Sequence, residues 1–146
     1  MSNMQSWKQN VGSIINYAER IFPEVEIVSR ALSGEIVKSN YGQVAKRAKK
    51  LGSSLEAYGI KHGQNVGSLA LNTYRNMEMY YGISGMGAVM HTINFRLHPE
   101  QVVYIINHAE NRIIFLETVF APLLEAIQAN CPTAVSYTHL TLPTTD

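Results

Sequence analysis

One cysteine, Cys131, leaves this sequence without the pair that an internal disulfide needs, which suits a reducing compartment. A surplus of charge is missing too. Lys and Arg number 12 against 11 Asp and Glu, a net charge of +1, so no bulk field draws in nucleic acid or anionic lipid. No stretch approaches the roughly 18 consecutive apolar residues of a membrane span. The N-terminal run MSNMQSWKQNVGSIINYAERIF lacks the basic region and long apolar core of a secretory signal. These absences point to a soluble, cytoplasmic protein. What is present, 46% hydrophobic and 16% charged residues over 146 positions, describes one globular domain with enough chain to bury a core.

Periodicity divides the chain into elements. Ile14, Ile15, Tyr17, Ala18 and Ile21 fall near helical spacing within 13–21, and Pro23 stops that helix. The run EVEIVS (24–29) alternates as a strand, with Val25, Ile27 and Val28 expected inward; Gly34 turns the chain and 35–38 returns as the second strand of a hairpin. Asn40 is placed to cap the next helix, with Gln43 as its reciprocal partner. Tyr41, Val44, Ala45, Ala48, Leu51 and Leu55 form one continuous apolar face of that helix, and Gly59 ends it.

From residue 65 onward strands and helices alternate. NVGSLAL (65–71) is a strand covered on both faces, Asn72 or Thr73 caps a helix to about Gly85, and 88–93 is a second buried strand. Pro99 opens a further helix with Glu100 in its first turn, RIIFL (112–116) is a third strand, and Thr118 is expected to cap a last helix. Apolar strands joined by helical crossovers predict an α/β fold: a mainly parallel sheet with flanking helices, preceded by a helix and a hairpin. Past Cys131 and Pro132 the run VSYTHLTLPTTD has no helical period and no continuation of this pattern. It resembles a translated adapter or vector tail, so residues 1–134 are expected to be native and 135–146 an artefact.

No residue set defines chemistry directly. Gly82, Gly85 and Gly87 end a helix and open a strand, the reverse of a dinucleotide fingerprint; the simpler expectation is that Gly85 and Gly87 let the helix stop and the backbone pass a neighbour closely. His91, Thr92, Asn94 and Arg96 lie at the end of a parallel strand and in the following loop, where ligands of such sheets collect. The plainer expectation is that His91 and Asn94 hydrogen-bond the loop and Arg96 pairs with an acidic neighbour. His91, His98 and His108 lack metal-ligand spacing, and His62 and His139 stand apart from them. Cys131 reads as a free surface thiol. Lys46, Arg47, Lys49 and Lys50 read as a solvated helix face, and Met77, Met79, Met86 and Met90 as core filling.

Three strings carry a wider resemblance: GEIVKSNYGQVAKRAKKLGSSLEAYGIKHGQNVGSLALNT, YRNMEMYYGISGMGAVMHTINFRLHPEQ and INHAENRIIFLETVFAPLLEAI. In this order and spacing, from Gly34 to Pro132, they resemble the opening of the large N-terminal domain of adenylate-forming acyl-CoA synthetases. The sequence HTIN-x-RL, then PEQ and INHAE, is most similar to medium- and long-chain fatty-acyl-CoA ligases. Phe95 stands where many relatives have proline. The resemblance implies activation of a fatty acid by ATP with Mg²⁺, transfer to CoA, and a possible homodimer formed by residues preceding Glu35. The family's Ser/Thr/Gly-rich phosphate loop ending in lysine does not occur in these 146 residues. No catalytic, cofactor-binding or metal residue is therefore carried over, and the expectation is an inactive N-terminal fragment of the ligase. The alternatives are a short ligase-derived binding or dimerisation module, or a small acyl-group binder without catalysis.

Overall fold

Asn10 sets where the first helix begins. Its extended backbone and its Oδ1, which accepts from Ser13 N–H at 2.8 Å, cap α1 (Val11–Ile21). A computed structural model describes residues 10–134 and 136–139. Only Ile15 of the apolar set on α1 is buried. The hairpin follows as β1 (Glu26–Arg30) and β2 (Ile36–Asn40), antiparallel, with Ile27 opposite Ser39 and Val28 opposite Lys38. Strand alternation turns Ile27 and Ser29 inward. Val25 and Val28, expected to point inward, are 48% and 58% exposed. The pleat sends the successive residues Ile27 and Val28 to opposite faces, and Val25 precedes the strand.

The second helix, α2 (Tyr41–Ala57), starts at Asn40, whose Oδ1 accepts from Gln43 N–H at 2.8 Å. The reciprocal bond is not made: Gln43 Oε1 accepts from Ser39 Oγ instead, at 3.1 Å. Val44, Ala45, Ala48 and Leu55 are buried as expected, with Gly52 among them. Beyond its end, Gly59 takes φ +97°, the left-handed conformation that favours glycine after a helix.

The sheet comprises β3 (Asn65–Leu69), β4 (Val89–Thr92), β5 (Ile113–Leu116) and β6 (Ser136–His139) in the order β4-β3-β5-β6. All three pairings are parallel. The helix α3 (Tyr74–Gly85) joins β3 to β4, and α4 (Pro99–His108) carries the chain back across β3 to β5. Alternation along β5 feeds two cores. Ile114 and Leu116 pack with Leu69, Val102 and Ile106 on one face; Ile113 and Phe115 pack with Val66, Met79 and Ile83 on the other. Each buried aliphatic side chain contributes about 1.5–3 kcal/mol relative to exposure.

Four expectations need correction. The strand around 88–93 is not buried throughout, because β4 lies at the sheet edge and Val89 is 47% exposed. Thr118 does not cap the last helix: Thr118–Phe120 is a 3₁₀ turn, and α5 (Ala121–Ile127) begins where Pro122 needs no N–H partner. The run after Pro132 does continue the sheet, since Ser136 to His139 pair in register with Ile113 to Leu116. Finally, Cys131 is no surface thiol. It is 2% exposed in the core beside Leu124 and Ile127, where burial pushes its pKa up.

Candidate functional site

The chain leaves β3 toward β4 through α3 and returns over β3 to β5 through α4, with α3 on one face of the sheet and α4 on the other. That reversal opens a crevice beyond the carboxyl ends of β3 and its neighbours, where open α/β sheets take ligands. Residues 70–73 and 117–119 border it.

Two short polar chains tie this region together. Ser68 Oγ donates to Asn76 Oδ1 at 3.2 Å, and Asn76 Nδ2 donates to Asn72 Oδ1 at 3.1 Å, locking β3 to the first turn of α3. The N-cap of α3, Thr73, donates its hydroxyl to Glu117 Oε1 at 3.2 Å rather than capping its own helix. Glu117 is 5% exposed, and its Oε2 has no hydrogen-bond donor among the described residues. Arg75 Nε donates to Tyr74 Oη at 3.0 Å, with the guanidinium 5.4 Å above the tyrosine ring. A groove of about 420 Å³ joins Glu117, Thr73 and Arg75 to the hairpin turn at Leu32 and Glu35.

The sequence candidates are dispersed. His91 lies on β4 and faces the fully buried Asn111, whose amide sets Nδ2 2.9 Å and Oδ1 3.2 Å from His91 Nδ1 and donates from Nδ2 to the Ile106 carbonyl at 3.3 Å. The partner of His91 is thus Asn111, two residues before β5, and not its own loop. Asn94 does hold that loop, accepting from Arg96 N–H at 3.0 Å. Arg96 stands 5.7 Å over the Phe95 ring and pairs with no acid among the described residues, and Thr92 is exposed. His98 caps α4, its N–H bonded to Gln101 Oε1 at 3.2 Å, while His108 stacks on Tyr104. The side chain of His62 is exposed. Met79 is buried, and Met77, Met86 and Met90 fill around the cores.

Arg47 departs from the solvated face expected of it. Its Nε lies 2.8 Å from Oε1 of Glu78 on α3, a charge contact made without hydrogen-bond alignment, and the Glu78 side chain is only 3% exposed. Burial pushes the Glu78 carboxyl above its ordinary range, against the opposing pull of Arg47 and Arg75. Lys49 pairs with Glu19 on α1, and Lys46 and Lys50 are exposed. Sequence reasoning missed both buried carboxylates. For Glu117 a signal existed, an acid directly after a buried parallel strand; for Glu78 none did, because its partner lies 31 positions away.

None of these residues fits a magnesium triphosphate. The turns after β3 (70–73), β4 (93–98) and β5 (117–118) contain neither glycine nor lysine, and the guanidinium of their one arginine, Arg96, stands over the Phe95 ring. A triphosphate needs converging backbone N–H groups and a cation.

The architecture is that of the N-terminal domains of adenylate-forming ligases. The N-terminal domain of FACL13 from Mycobacterium tuberculosis superposes with a TM-score of 0.83 at 24% identity, covering 91% of this chain and 34% of that one. Residues 20–144 match the AMP-binding enzyme family, and the chain belongs to it. It is 44% identical over 118 residues to the 3-methylmercaptopropionyl-CoA ligase of Ruegeria lacuscaerulensis, covering 81% of this chain and 22% of the relative. It is 37% identical over 132 residues to the long-chain-fatty-acid–CoA ligase of Thermus thermophilus, covering 90% and 24%. The chain thus spans less than a quarter of the length of these curated relatives. No helix among the described residues is long and apolar enough to cross a membrane.

Proposed function

We infer that these residues form the opening part of the large domain of a cytoplasmic CoA ligase for fatty carboxylic acids. The observation carrying this is the family match over residues 20–144, supported by the fatty-acid substrate in the name of the Thermus thermophilus relative. In such a ligase a carboxylate oxygen attacks the α-phosphorus of ATP and pyrophosphate leaves. The CoA sulfur then attacks the acyl carbon of the adenylate and AMP leaves. Magnesium offsets the phosphate charge when bound. The 146 residues supply scaffold for this reaction and not its phosphate grip, so the chain by itself turns over no substrate.

Pyrophosphate release with octanoate or palmitate, ATP, Mg²⁺ and CoA tests this. The uninterrupted gene product should release pyrophosphate in step with acyl-CoA, and the 146-residue chain should stay at background. Turnover by the short chain would overturn the scaffold role; a long product active only on short thioether acids would overturn the fatty-acid assignment.

The proposal includes a non-native origin for residues 135–146. Pairing of Ser136–His139 along β5 is what a β-prone run does beside an open strand edge. Because the family match runs to residue 144, DNA past codon 135 from an independent clone is the deciding observation. An open frame leading to a Ser/Thr/Gly-rich loop with lysine supports the ligase, and a reproducible stop supports a short module.

One feature favours a second role, self-association. Ile14, Tyr17, Ile21 and Phe22 expose 59%, 53%, 46% and 47% of their surface around α1. Sedimentation of the ligase should give a dimer that Tyr17→Glu with Ile21→Glu converts to monomer; a monomeric parent protein would rule this out.

A further inference from the structure

We propose that the groove beyond the carboxyl ends of β3 and β5 binds a primary alkylammonium group, with Glu117 as its anion. The carboxylate is 5% exposed and half satisfied: Thr73 Oγ1 donates to Oε1 at 3.2 Å, and Oε2 has no donor among the described residues. Leaving a buried carboxylate oxygen unbonded is costly, so a group that donates there gains what water elsewhere would supply. A second carboxylate, Glu35, lines the same groove of about 420 Å³. The one cation lining it, Arg75, is held on the Tyr74 hydroxyl and makes no ion pair with Glu117 among the described residues.

The shape selects among cations. A guanidinium fork is best matched by two free carboxylate oxygens, and Thr73 already takes one acceptor site of Oε1. A hard divalent ion needs several oxygen ligands, and no cluster of three acids or histidines occurs among the described residues. An ammonium is a compact donor that a single oxygen can hold. Leu32, Val37 and Val119 line the walls and can cover a methylene stem.

Such a group has two sources: a free alkylamine, or a lysine side chain from later in the ligase. The second source rests on the ligase reading above. The intact ligase is titrated with butylammonium, with 1-butanol as neutral control, and its Tm followed. A saturable rise of about 3 °C near one hundred times Kd, absent with 1-butanol and lost in Glu117→Gln, establishes a free-amine site. For a resident lysine the Tm ignores butylammonium. Reductive methylation with peptide mass spectrometry then finds one lysine outside residues 1–146 protected in the parent protein and labelled in Glu117→Gln. With neither the rise nor the released lysine, Glu117 holds water only and the proposal falls. Pyrophosphate release is assayed separately, so absence of turnover would sink the ligase reading while the butylammonium result stands on its own.

Discussion

Gly82→Val is expected to cost about 3 kcal/mol of stability, the upper end of the usual overpacking range. At this point α2 and α3 meet backbone to backbone. A Cβ on Gly82 would stand 2.8 Å from the Ala48 carbonyl oxygen and 3.1 Å from Leu51 Cδ2. Its neighbour across the seam, Gly52, would bring a Cβ to 3.2 Å from the Gly82 carbonyl. A rotamer change cannot relieve a clash with backbone, so the helices must separate and loosen the buried Ala48, Met79 and Ile83. Gly85 is the internal control. A Cβ there meets nothing within 4 Å, and its φ is not in the left-handed region. Gly85→Ala should therefore be neutral or stabilising by up to about 1 kcal/mol. Urea midpoints of the two variants check this, and equal losses would mean the seam is not close-packed.

The second large effect concerns the pair buried between the same two helices. Removing Arg47 leaves Glu78, 3% exposed at its side chain, with one oxygen already lacking a donor. Breaking a fully buried pair typically costs 3–5 kcal/mol; Arg47 is 39% exposed and partly screened, so about 2 kcal/mol is expected for Arg47→Ala. Glu78→Gln should act in the opposite direction at neutral pH. Desolvation is the largest influence on this carboxyl and exceeds the attraction of Arg47 and Arg75. A carboxyl whose folded pKa is raised binds more protons folded than unfolded between the two values. Stability from Glu78 is therefore fully present below its ordinary pKa and declines as pH rises through the folded value. Urea titrations at several pH values should show this decline in the parent protein, a steeper one in Arg47→Ala and none from this site in Glu78→Gln. A parent protein that gains stability relative to Glu78→Gln over that interval would reverse the assignment.

Gly87 and Gly85 show how far sequence reasoning reached at one turn. Both were expected to end α3 and admit a close neighbour. Gly87 does so: φ is +88°, its carbonyl accepts from Gly63 N–H at 2.8 Å, and a Cβ would press on His62. The backbone of Gly85 lies against Gly12 of α1, where a Cβ on Gly12 would stand 3.4 Å from Gly85 Cα, but the tightest helical approach is at Gly82, one turn earlier. Nothing in GISGMG distinguishes the two, because the difference lies in which glycine faces α2.

The amino-acid order alone determined the elements and their class. Asn40 as a cap, Gly59 as a stop, Pro99 as a helix start and the short strand-forming runs at 65–69 and 113–116 act within a few residues of themselves, through backbone sterics and side-chain period. Tertiary structure decided what those elements bring together. It set β3 between β4 and β5, moved Cys131 into the core, drew Arg47 to Glu78 and placed Thr73 on Glu117. Those pairings join residues 31 and 44 positions apart, as their numbers show. Burial there depends on how crossovers pack over a shared sheet, which no local pattern encodes.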